Sequence, residues 1–180
     1  MYAKFWKRFF DFTLSLLALL VLSPLLLILT VIGAVAMRGN PFFTQARPGK
    51  IDKKTGKEKI FKLIKFRTMS NKKDENGNLL PDEARLNRYG KFLRSTSLDE
   101  LPSLCNILWG SAGLVGPRPF LVRDCVFLTD EQRRRHTVRP GLTGLAQVNG
   151  RNNITWEQKF EYDLQYIDSG ITFKGDLIII

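Results

Sequence analysis

Two adjacent carboxylates, Asp99 and Glu100, are the residues of this sequence best suited to chemistry on a phosphate. Carboxylates that ligate Mg²⁺, combined with cations that hold phosphate oxygens, are typical of phosphoryl-transfer sites. The cations would come from other segments of the chain, and the candidates are Lys65, Arg94 and Arg118. The simpler alternative is that acidic residues at the start of a helix act only as caps. Spacing along the chain does not decide between the two.

Pro102 restricts where the helix that carries these carboxylates begins. If Ser97 were the N-cap, Pro102 would be the fifth helical residue and its ring would crowd the carbonyl of Leu98. A helix that starts at Asp99 places the proline in the first turn, where a missing N–H costs nothing. Asp99 and Glu100 would then lie at the positive end of the helix dipole, so the sequence predicts that both are ionised.

Arg118 lies between two prolines in the segment Gly116-Pro117-Arg118-Pro119. Prolines fix φ, so this segment predicts a stiff turn with a well-positioned guanidinium. A guanidinium binds a phosphate through two parallel hydrogen bonds, which the ammonium group of lysine does not reproduce.

Composition excludes several other kinds of site. The chain has 180 residues, enough for one domain with its own core, and 28 Lys and Arg against 17 Asp and Glu give a net charge of +11. This charge favours a polyanionic partner such as nucleic acid, an anionic membrane or a phosphorylated substrate. The single histidine, His136, excludes His-rich metal centres, and two cysteines exclude a disulfide framework or a Cys-based zinc site.

The elements that must position these residues predict an α+β fold. Residues 41–70 have the pattern of two strands joined by a turn at Lys53-Lys54-Thr55-Gly56, with Lys65 and Arg67 on one face of the second strand. A basic amphipathic helix is predicted from Pro81. A second amphipathic helix is predicted over residues 155–167, with Thr155 and Gln158 as a capping box. Its apolar stripe favours either core packing or a seat at a membrane interface.

An uncharged apolar segment covers residues 12–37, longer than the roughly 20 residues that cross a bilayer. Ser23 and Pro24 divide it into halves that each match about one leaflet, and the Ser23 hydroxyl would satisfy the Leu20 carbonyl that Pro24 leaves free. Lys and Arg flank both ends, and basic flanks mark the cytoplasmic side. The pattern favours a helix that enters and leaves on one side. A kinked span and a signal peptide ending near Ala34-Val35-Ala36 are the alternatives.

Four motifs, in this order, resemble the bacterial sugar transferase family, the monotopic polyprenyl-phosphate phosphoglycosyl transferases. They are Lys65-Phe66-Arg67-Thr68-Met69, Asp99–Pro102, Gly116–Pro119, and the run from Arg139-Pro140-Gly141 to Asn149-Gly150-Arg151. The short N-terminus is similar to that of the small members that initiate glycan assembly, of the kind that starts N-linked protein glycosylation in Campylobacter. In one place the sequence departs from the family. It ends in the apolar run Leu177–Ile180, where a further helix is usual, so we expect a shortened chain.

The resemblance implies transfer of a sugar-1-phosphate from a UDP-sugar, expected to be an N-acetylated amino sugar, to undecaprenyl phosphate with release of UMP. It implies that Asp99 and Glu100 are catalytic and bind Mg²⁺, with Asp99 as the nucleophile that forms a covalent phosphosugar intermediate and Glu100 as a metal ligand or proton-transfer group. It implies that substrate is bound by Lys65, Arg94, Arg118, Pro119, Gln147 and Arg151.

The resemblance also implies how the chain is organised. Residues 1–38 would form a re-entrant membrane helix broken at Ser23-Pro24, and residues 39–180 a catalytic domain with interfacial amphipathic helices on the cytoplasmic face of the bacterial plasma membrane. Both termini would be cytoplasmic, membrane lipid and downstream glycosyltransferases would be partners, and nucleic acid would not. The alternative from another class is a non-catalytic, basic, membrane-anchored module that binds anionic lipid or nucleic acid.

Overall fold

The computed structural model of this chain describes residues 2–150 and 153–180. A π-helical turn over Tyr2–Trp6 leads into the helices and strands. In chain order these are α1 (Lys7–Val21), α2 (Ser23–Met37), β1 (Phe42–Ile51), β2 (Glu58–Phe66), α3 (Asp82–Arg85), α4 (Arg88–Thr96), α5 (Leu104–Trp109), β3 (Gly113–Val115), α6 (Asp130–Arg133), β4 (Gly141–Thr143), α7 (Leu145–Val148), α8 (Trp156–Asp168) and α9 (Phe173–Ile179). Short 3₁₀ helices cover Leu98–Ser103, Val122–Phe127 and Arg134–Thr137. The mixture of helix and sheet confirms the predicted α+β class.

The apolar segment forms two helices, α1 and α2, bent by 65° at Leu22. The Ser23 hydroxyl donates a 2.7 Å hydrogen bond to the Leu20 carbonyl, as predicted. Within the described residues, no single helix has both the length and the apolar character to cross a membrane. The bent pair meets that test only as a unit, and the bend fits a broken span as well as a re-entrant loop.

Helix α1 packs a polar face against the rest of the protein over its first turns, and Ala18 and Leu19 near its end pack against the core around Ile107. Lys7, Asp11 and Ser15 are buried, and the Asp11 carboxylate accepts a 3.1 Å hydrogen bond from the Leu114 N–H of β3. The Lys7 ammonium lies 2.8 Å from the carboxylate of Asp176 in α9. The opposite face exposes large apolar side chains that continue along α2: Phe9, Phe12, Leu16, Leu17, Leu20, Val21, Leu27, Ile28, Val31, Ile32 and Val35.

The strands β1 and β2 form an antiparallel hairpin in which Phe43 pairs with Lys65. The buried Asn106 of α5 joins helix to hairpin, because its side-chain amide donates to the Lys62 carbonyl at 2.9 Å and accepts from the Ile64 N–H at 3.0 Å. This side chain therefore fixes Lys65, at the end of β2, relative to the segment that precedes α5.

The second sheet is the short parallel pair β3 and β4, in which Gly113 pairs with Gly141. It lies against a core formed by Val115, Tyr166 of α8 and Ile179 of α9. Helix α8 begins with the predicted capping box, in which Thr155 and Gln158 each bond the other's backbone. Its most buried residues are Asp163 and Tyr166, whereas Trp156 at its start is half exposed. This face of α8 therefore packs into the core.

The single helix predicted from Pro81 is wrong, because Leu86 is extended and separates α3 from α4. Asn87 caps α4 by accepting from the Gly90 N–H at 2.8 Å. Gly90 lies so close to the segment that follows β2 that a Cβ there would be 1.9 Å from the Thr68 carbonyl oxygen. This close approach brings Arg94 within 3.0 Å of the Thr68 hydroxyl.

Candidate active site

The segment that carries Asp99 and Glu100 is a 3₁₀ helix over Leu98–Ser103, and the α-helix begins only at Leu104. The prediction of an α-helix starting at Asp99 is therefore wrong. Ser97 precedes the 3₁₀ helix with φ of 57°. Because 3₁₀ hydrogen bonds connect residues three apart, Pro102 avoids the clash with the carbonyl of Leu98 that an α-helix would impose.

Asp99 and Glu100 line a cleft of about 500 Å³ between the end of β2 and the last turn of α4. The predicted residues Lys65, Arg94 and Arg118 line the same cleft, and so do Arg67 and Arg85. Five cations thus surround two carboxylates. Such an excess of positive charge suits a ligand with several negative charges, such as a diphosphate.

Glu100 is held by two cations. Its carboxylate accepts a forked pair of hydrogen bonds from the Arg118 guanidinium and a 2.7 Å hydrogen bond from the Lys65 ammonium. Burial acts to raise the pKa of Glu100, but the contacts with Arg118 and Lys65 outweigh it and lower that pKa to about 2. Glu100 is therefore ionised at neutral pH, and it orients the two cations in the cleft.

Asp99 has a different environment from its neighbour. Burial raises its pKa, the charge of Lys65 acts in the opposite direction, and the charge of Glu100 raises the pKa further. Lys65 and Arg94 act on it from beyond ion-pair distance in the described part of the chain. The expected stabilisation of its ionised form by the helix dipole is thus outweighed by desolvation. A desolvated carboxylate without an ion pair of its own is a better nucleophile than one engaged by a guanidinium.

The acidic side chains of this cleft that could ligate a Mg²⁺ ion are these two carboxylates. No group of three or more Asp, Glu, His or Cys side chains in residues 2–150 and 153–180 could hold a metal ion. Both oxygens of Glu100 already accept hydrogen bonds from cations, which leaves the Asp99 carboxylate as the available ligand. Mg²⁺ is commonly held by one or two carboxylates together with substrate phosphates, and the cleft fits that arrangement.

Three consecutive carbonyl groups hold the loop that carries Arg118. The Pro117 carbonyl accepts from the Gly141 N–H at 3.0 Å, the Arg118 carbonyl from Arg135 Nη2 at 2.6 Å, and the Pro119 carbonyl from Arg47 Nη1 at 3.1 Å. The prolines have no N–H of their own, so these carbonyl contacts are what fix the loop to its surroundings. The expectation of a positioned guanidinium agrees with this geometry.

Arg135 is among the most buried side chains of the protein, with 1 % of its side-chain surface exposed. It forms a 2.6 Å ion pair with Asp163 of α8, and its guanidinium carbon lies 3.5 Å from the centre of the Phe120 ring. Burial raises the pKa of Asp163 to about 6, although the charge of Arg135 acts to lower it. The ion pair with Asp163 and the Phe120 ring therefore hold Arg135 in the position from which it donates to the Arg118 carbonyl.

A second cleft, of about 670 Å³, lies on the other side of Arg118. It is lined by the predicted residues Pro119 and Gln147, together with Trp156 and Lys159 of α8. Arg118 and Gln45 line both clefts. The structure thus groups seven predicted site residues around one loop, with Pro119 and Gln147 on the far side from Asp99. The sixth predicted substrate-binding residue, Arg151, lies outside the described residues.

Sequence reasoning missed Arg135, Asp163 and Asn106. Arg135 follows two other arginines and looks like part of a solvated basic run. The available signal was Asp163, which lies three residues after Phe160 on the apolar face of a predicted helix. An acidic residue in that position is buried only if it has a cationic partner. Asn106 carried no comparable signal, because a single amide in a helix is usually exposed.

The family profile described as bacterial sugar transferase matches residues 2–180. The chain belongs to the bacterial sugar transferase family. It is 46% identical to "Uncharacterized sugar transferase EpsL" of Bacillus subtilis (strain 168), over 97% of this chain and 83% of that protein.

The chain is also similar to two further proteins. The chain is 34% identical to "Exopolysaccharide production protein ExoY" of Sinorhizobium fredii, over 97% of this chain and 81% of that protein. It is 38% identical to the "UDP-glucose:undecaprenyl-phosphate glucose-1-phosphate transferase" of Klebsiella pneumoniae, over 97% of this chain. This chain spans 38% of the length of the Klebsiella protein.

Proposed function

We propose that this protein transfers a sugar-1-phosphate from a UDP-sugar to undecaprenyl phosphate and releases UMP. Membership of the bacterial sugar transferase family supports the assignment of this protein as a transferase. The reaction for which the Klebsiella relative is named supports transfer to undecaprenyl phosphate. The observation that carries the proposal is the contrast between two adjacent carboxylates in one cationic cleft. Glu100 is neutralised by Lys65 and Arg118, whereas Asp99 forms no ion pair with them.

In the first half-reaction, an oxygen of the Asp99 carboxylate attacks the phosphorus that bears the sugar. A bond forms between that oxygen and phosphorus, the bond to the bridging oxygen of the diphosphate breaks, and its electron pair leaves with UMP. In the second half-reaction, a phosphate oxygen of undecaprenyl phosphate attacks the same phosphorus and expels Asp99. Dividing the reaction in this way lets a soluble donor and a lipid acceptor use the site in turn.

The remaining residues of the cleft bind and orient the diphosphate. Lys65 and Arg118 are held by Glu100, so their donors are already positioned when a substrate arrives. Arg94 lines the same cleft and is anchored to Thr68, which leaves the ends of its guanidinium to contact phosphate. Glu100 is a positioning residue in this scheme, although it is also a candidate for metal binding or proton transfer.

We propose Mg²⁺ as the cofactor, with Asp99 as its protein ligand and Glu100 in contact only if its cations move. When bound, Mg²⁺ neutralises charge on the diphosphate and on the attacking carboxylate. The fit of one available carboxylate and a phosphate-binding cleft supports this assignment.

The second cleft is the proposed site for the rest of the UDP-sugar, with Pro119 and Gln147 in contact with substrate. We also propose Arg151 as a substrate-binding residue. Gln147 donates to the Leu142 carbonyl at 3.0 Å, while its side-chain oxygen is buried without a partner among the described residues. A buried acceptor of this kind is completed by a ligand N–H or O–H. The amide N–H of an N-acetylated amino sugar is such a donor, and so is a hydroxyl of glucose or galactose, so assays with several UDP-sugars decide among them.

We further propose that residues 1–38 form a re-entrant membrane helix and residues 39–180 a catalytic domain on the cytoplasmic face of the bacterial plasma membrane. The exposed apolar surface of α1 and α2, the bend at Leu22 and the basic flanks support this placement. The lipid product would then pass to downstream glycosyltransferases in the same membrane.

The test is a single-turnover assay with UDP-sugar and Mg²⁺ in the absence of polyprenyl phosphate. The wild-type protein should release up to one UMP per chain and gain the mass of one sugar phosphate. Asp99→Asn should lose both signals, because an amide oxygen is a far poorer nucleophile than a carboxylate. Asp130→Asn, at the start of α6 and exposed, is the matched control and should keep both.

UMP release that depends on the lipid acceptor would contradict the covalent route. It would indicate direct transfer in a ternary complex. An Asp99→Asn variant that still releases UMP would contradict the role of Asp99 as nucleophile. A protein that binds anionic lipid without any turnover would indicate the non-catalytic binding module instead.

A further inference from the structure

A second group of cations lies at the turn of the β1–β2 hairpin. A cleft of about 490 Å³ is lined there by Lys50, Lys53, Lys54 and Lys59 from the hairpin and by Arg139 from the segment before β4. The acidic residue in its lining is Asp52, which is paired with Lys59 at 3.2 Å. Among the described residues, the other four cations form no ion pair. This cleft shares no lining residue with the Asp99 cleft.

The cations are held together by the fold in spite of their repulsion. Arg139 Nε donates a 2.9 Å hydrogen bond to the Gly110 carbonyl, which keeps its guanidinium at the cleft. Burial and the charges of Arg139 and Lys53 lower the pKa of Lys50. An anion that enters the cleft would relieve this repulsion, so the site has an electrostatic reason to bind one.

The cleft lies beside the beginning of α1. Gly110 lines it, and a Cβ at Gly110 would be 3.2 Å from the guanidinium carbon of Arg8 in α1. Arg8 donates to the Ile107 and Leu108 carbonyls, which ties α1 to this end of α5.

Large apolar side chains are exposed at the same end of the molecule. Trp109, next to Gly110, is 68% exposed, and Trp6 near the start of α1 is 45% exposed. Tryptophan is enriched where a membrane meets water. The cleft therefore combines unpaired positive charge with an adjacent apolar surface. An anionic phospholipid has a negatively charged headgroup next to apolar acyl chains, so it matches both features.

We propose that this cleft binds the headgroup phosphate of an anionic phospholipid whose acyl chains lie against the exposed apolar end of α1. The inference rests on the membrane attachment proposed above, and it does not involve the Asp99 cleft. An inorganic phosphate shares the headgroup's charge but has no part that contacts the apolar surface, so the two sources are separable by experiment.

The test uses the full chain in neutral detergent micelles that contain phosphatidylglycerol or phosphatidylcholine, and in lipid-free micelles with and without inorganic phosphate. Hydrogen exchange of residues 50–59 and 110–111 is measured as each lipid is titrated. Phosphatidylglycerol should protect both segments saturably, while phosphatidylcholine should not. In the triple variant Lys50→Gln, Lys53→Gln, Lys54→Gln the apparent affinity should fall by about 10–100-fold.

The matched control, Lys72→Gln, Lys73→Gln, Lys91→Gln, removes the same charge from exposed positions elsewhere and should bind like the wild type. The double variant Lys53→Gln, Lys54→Gln changes only exposed residues of the turn, so it keeps the test valid if the triple variant unfolds. Equal protection by inorganic phosphate or by phosphatidylcholine would overturn the proposal, and so would unchanged binding in the variants. UMP release, measured on the same samples, should be normal in every variant, so the outcome is independent of the proposed reaction.

Discussion

Arg135 Nη2 donates a 2.6 Å hydrogen bond to the backbone carbonyl of Arg118. Arg135 thus positions Arg118 through the main chain. The side chain of Arg118 faces the cleft and Glu100. The guanidinium of Arg135 is buried and paired with Asp163, while that of Arg118 is partly exposed. The geometry separates a positioning role from a binding role.

This relationship predicts that Arg135 affects activity without touching the substrate. Arg135→Met should lower the unfolding free energy by about 3–5 kcal/mol, because Asp163 is left buried and unpaired. The double variant Arg135→Met, Asp163→Leu replaces the pair by apolar groups and should regain most of that loss. It should nevertheless release UMP more slowly, since the Arg118 carbonyl is no longer anchored. A double variant that folds and has full activity would show that the anchor is dispensable.

Arg118→Lys should reduce the rate of UMP release by roughly 10–100-fold, the factor for a lost charge-assisted hydrogen bond of about 1.5–3 kcal/mol. A lysine ammonium keeps the charge but does not reproduce the forked contact of the guanidinium with Glu100 or with a phosphate. Melting temperature should change little, because Arg118 is partly exposed. Arg88→Lys, on the exposed side of α4, serves as the control. If the Arg118→Lys enzyme were fully active, a structural role alone would remain for Arg118.

Glu100 should make stability depend on pH in acid. Its pKa is lowered from the ordinary 4.5 to about 2, so its ion pairs stabilise the fold above pH 4.5, and this contribution disappears as the pH falls towards 2. Glu100→Gln should remove on the order of 2–3 kcal/mol of unfolding free energy at pH 7 and flatten the curve in that range. Chemical denaturation at several pH values measures both effects. The exposed Glu75→Gln provides the comparison, and an identical acid profile in the wild type and Glu100→Gln would refute the assignment.

The basic flanks, together with the bend at Leu22, are the basis for the proposed topology, in which the apolar segment enters and leaves the membrane on one side. In a protein with Cys105 and Cys125 replaced by serine, single cysteines introduced as Ala3→Cys and Asn40→Cys should both resist a membrane-impermeant thiol reagent added to intact cells. Both should react after the cells are permeabilised, which is the control for accessibility. Labelling of only one of them in intact cells would establish a true span. Replacing Ser23 and Pro24 by alanine and leucine removes the hydrogen bond to Leu20 and should favour a straight helix with lower activity.

Local patterns were sufficient for much of the fold. The hairpin, the capping box of Thr155 and Gln158, and the hydrogen bond from Ser23 to Leu20 all depend on residues close in sequence, and all are confirmed. The prediction that an α-helix starts at Asp99 was wrong, because a 3₁₀ helix also accommodates Pro102. The continuous helix from Pro81 was wrong because Asn87 competes for the backbone as a cap.

The sequence predicted Lys65, Arg94 and Arg118 near Asp99, but not the cations Arg67 and Arg85 of the same cleft, and not how the charged groups are paired. The pairing of Glu100 with Lys65 joins residues 35 positions apart, and the contact of Arg135 with Arg118 spans 17. Such contacts follow from packing of distant segments, and no periodicity encodes them. The pKa of Asp99 was missed for the same reason, because desolvation depends on neighbours that only the folded chain supplies.

The carboxylate of Asp176, in α9, accepts hydrogen bonds from Tyr2, Lys7 and Tyr166, so both ends of the described chain meet at one buried acid. Removing the apolar helices would therefore also remove contacts inside the folded protein. A shortened protein that begins after Arg38 would lose the Lys7 partner of Asp176 and the Asp11 partner of the Leu114 N–H, just before the Arg118 loop. The proposed membrane attachment and the order of the Arg118 loop would then be lost in the same step, so we expect a fragment without α1 and α2 to be inactive.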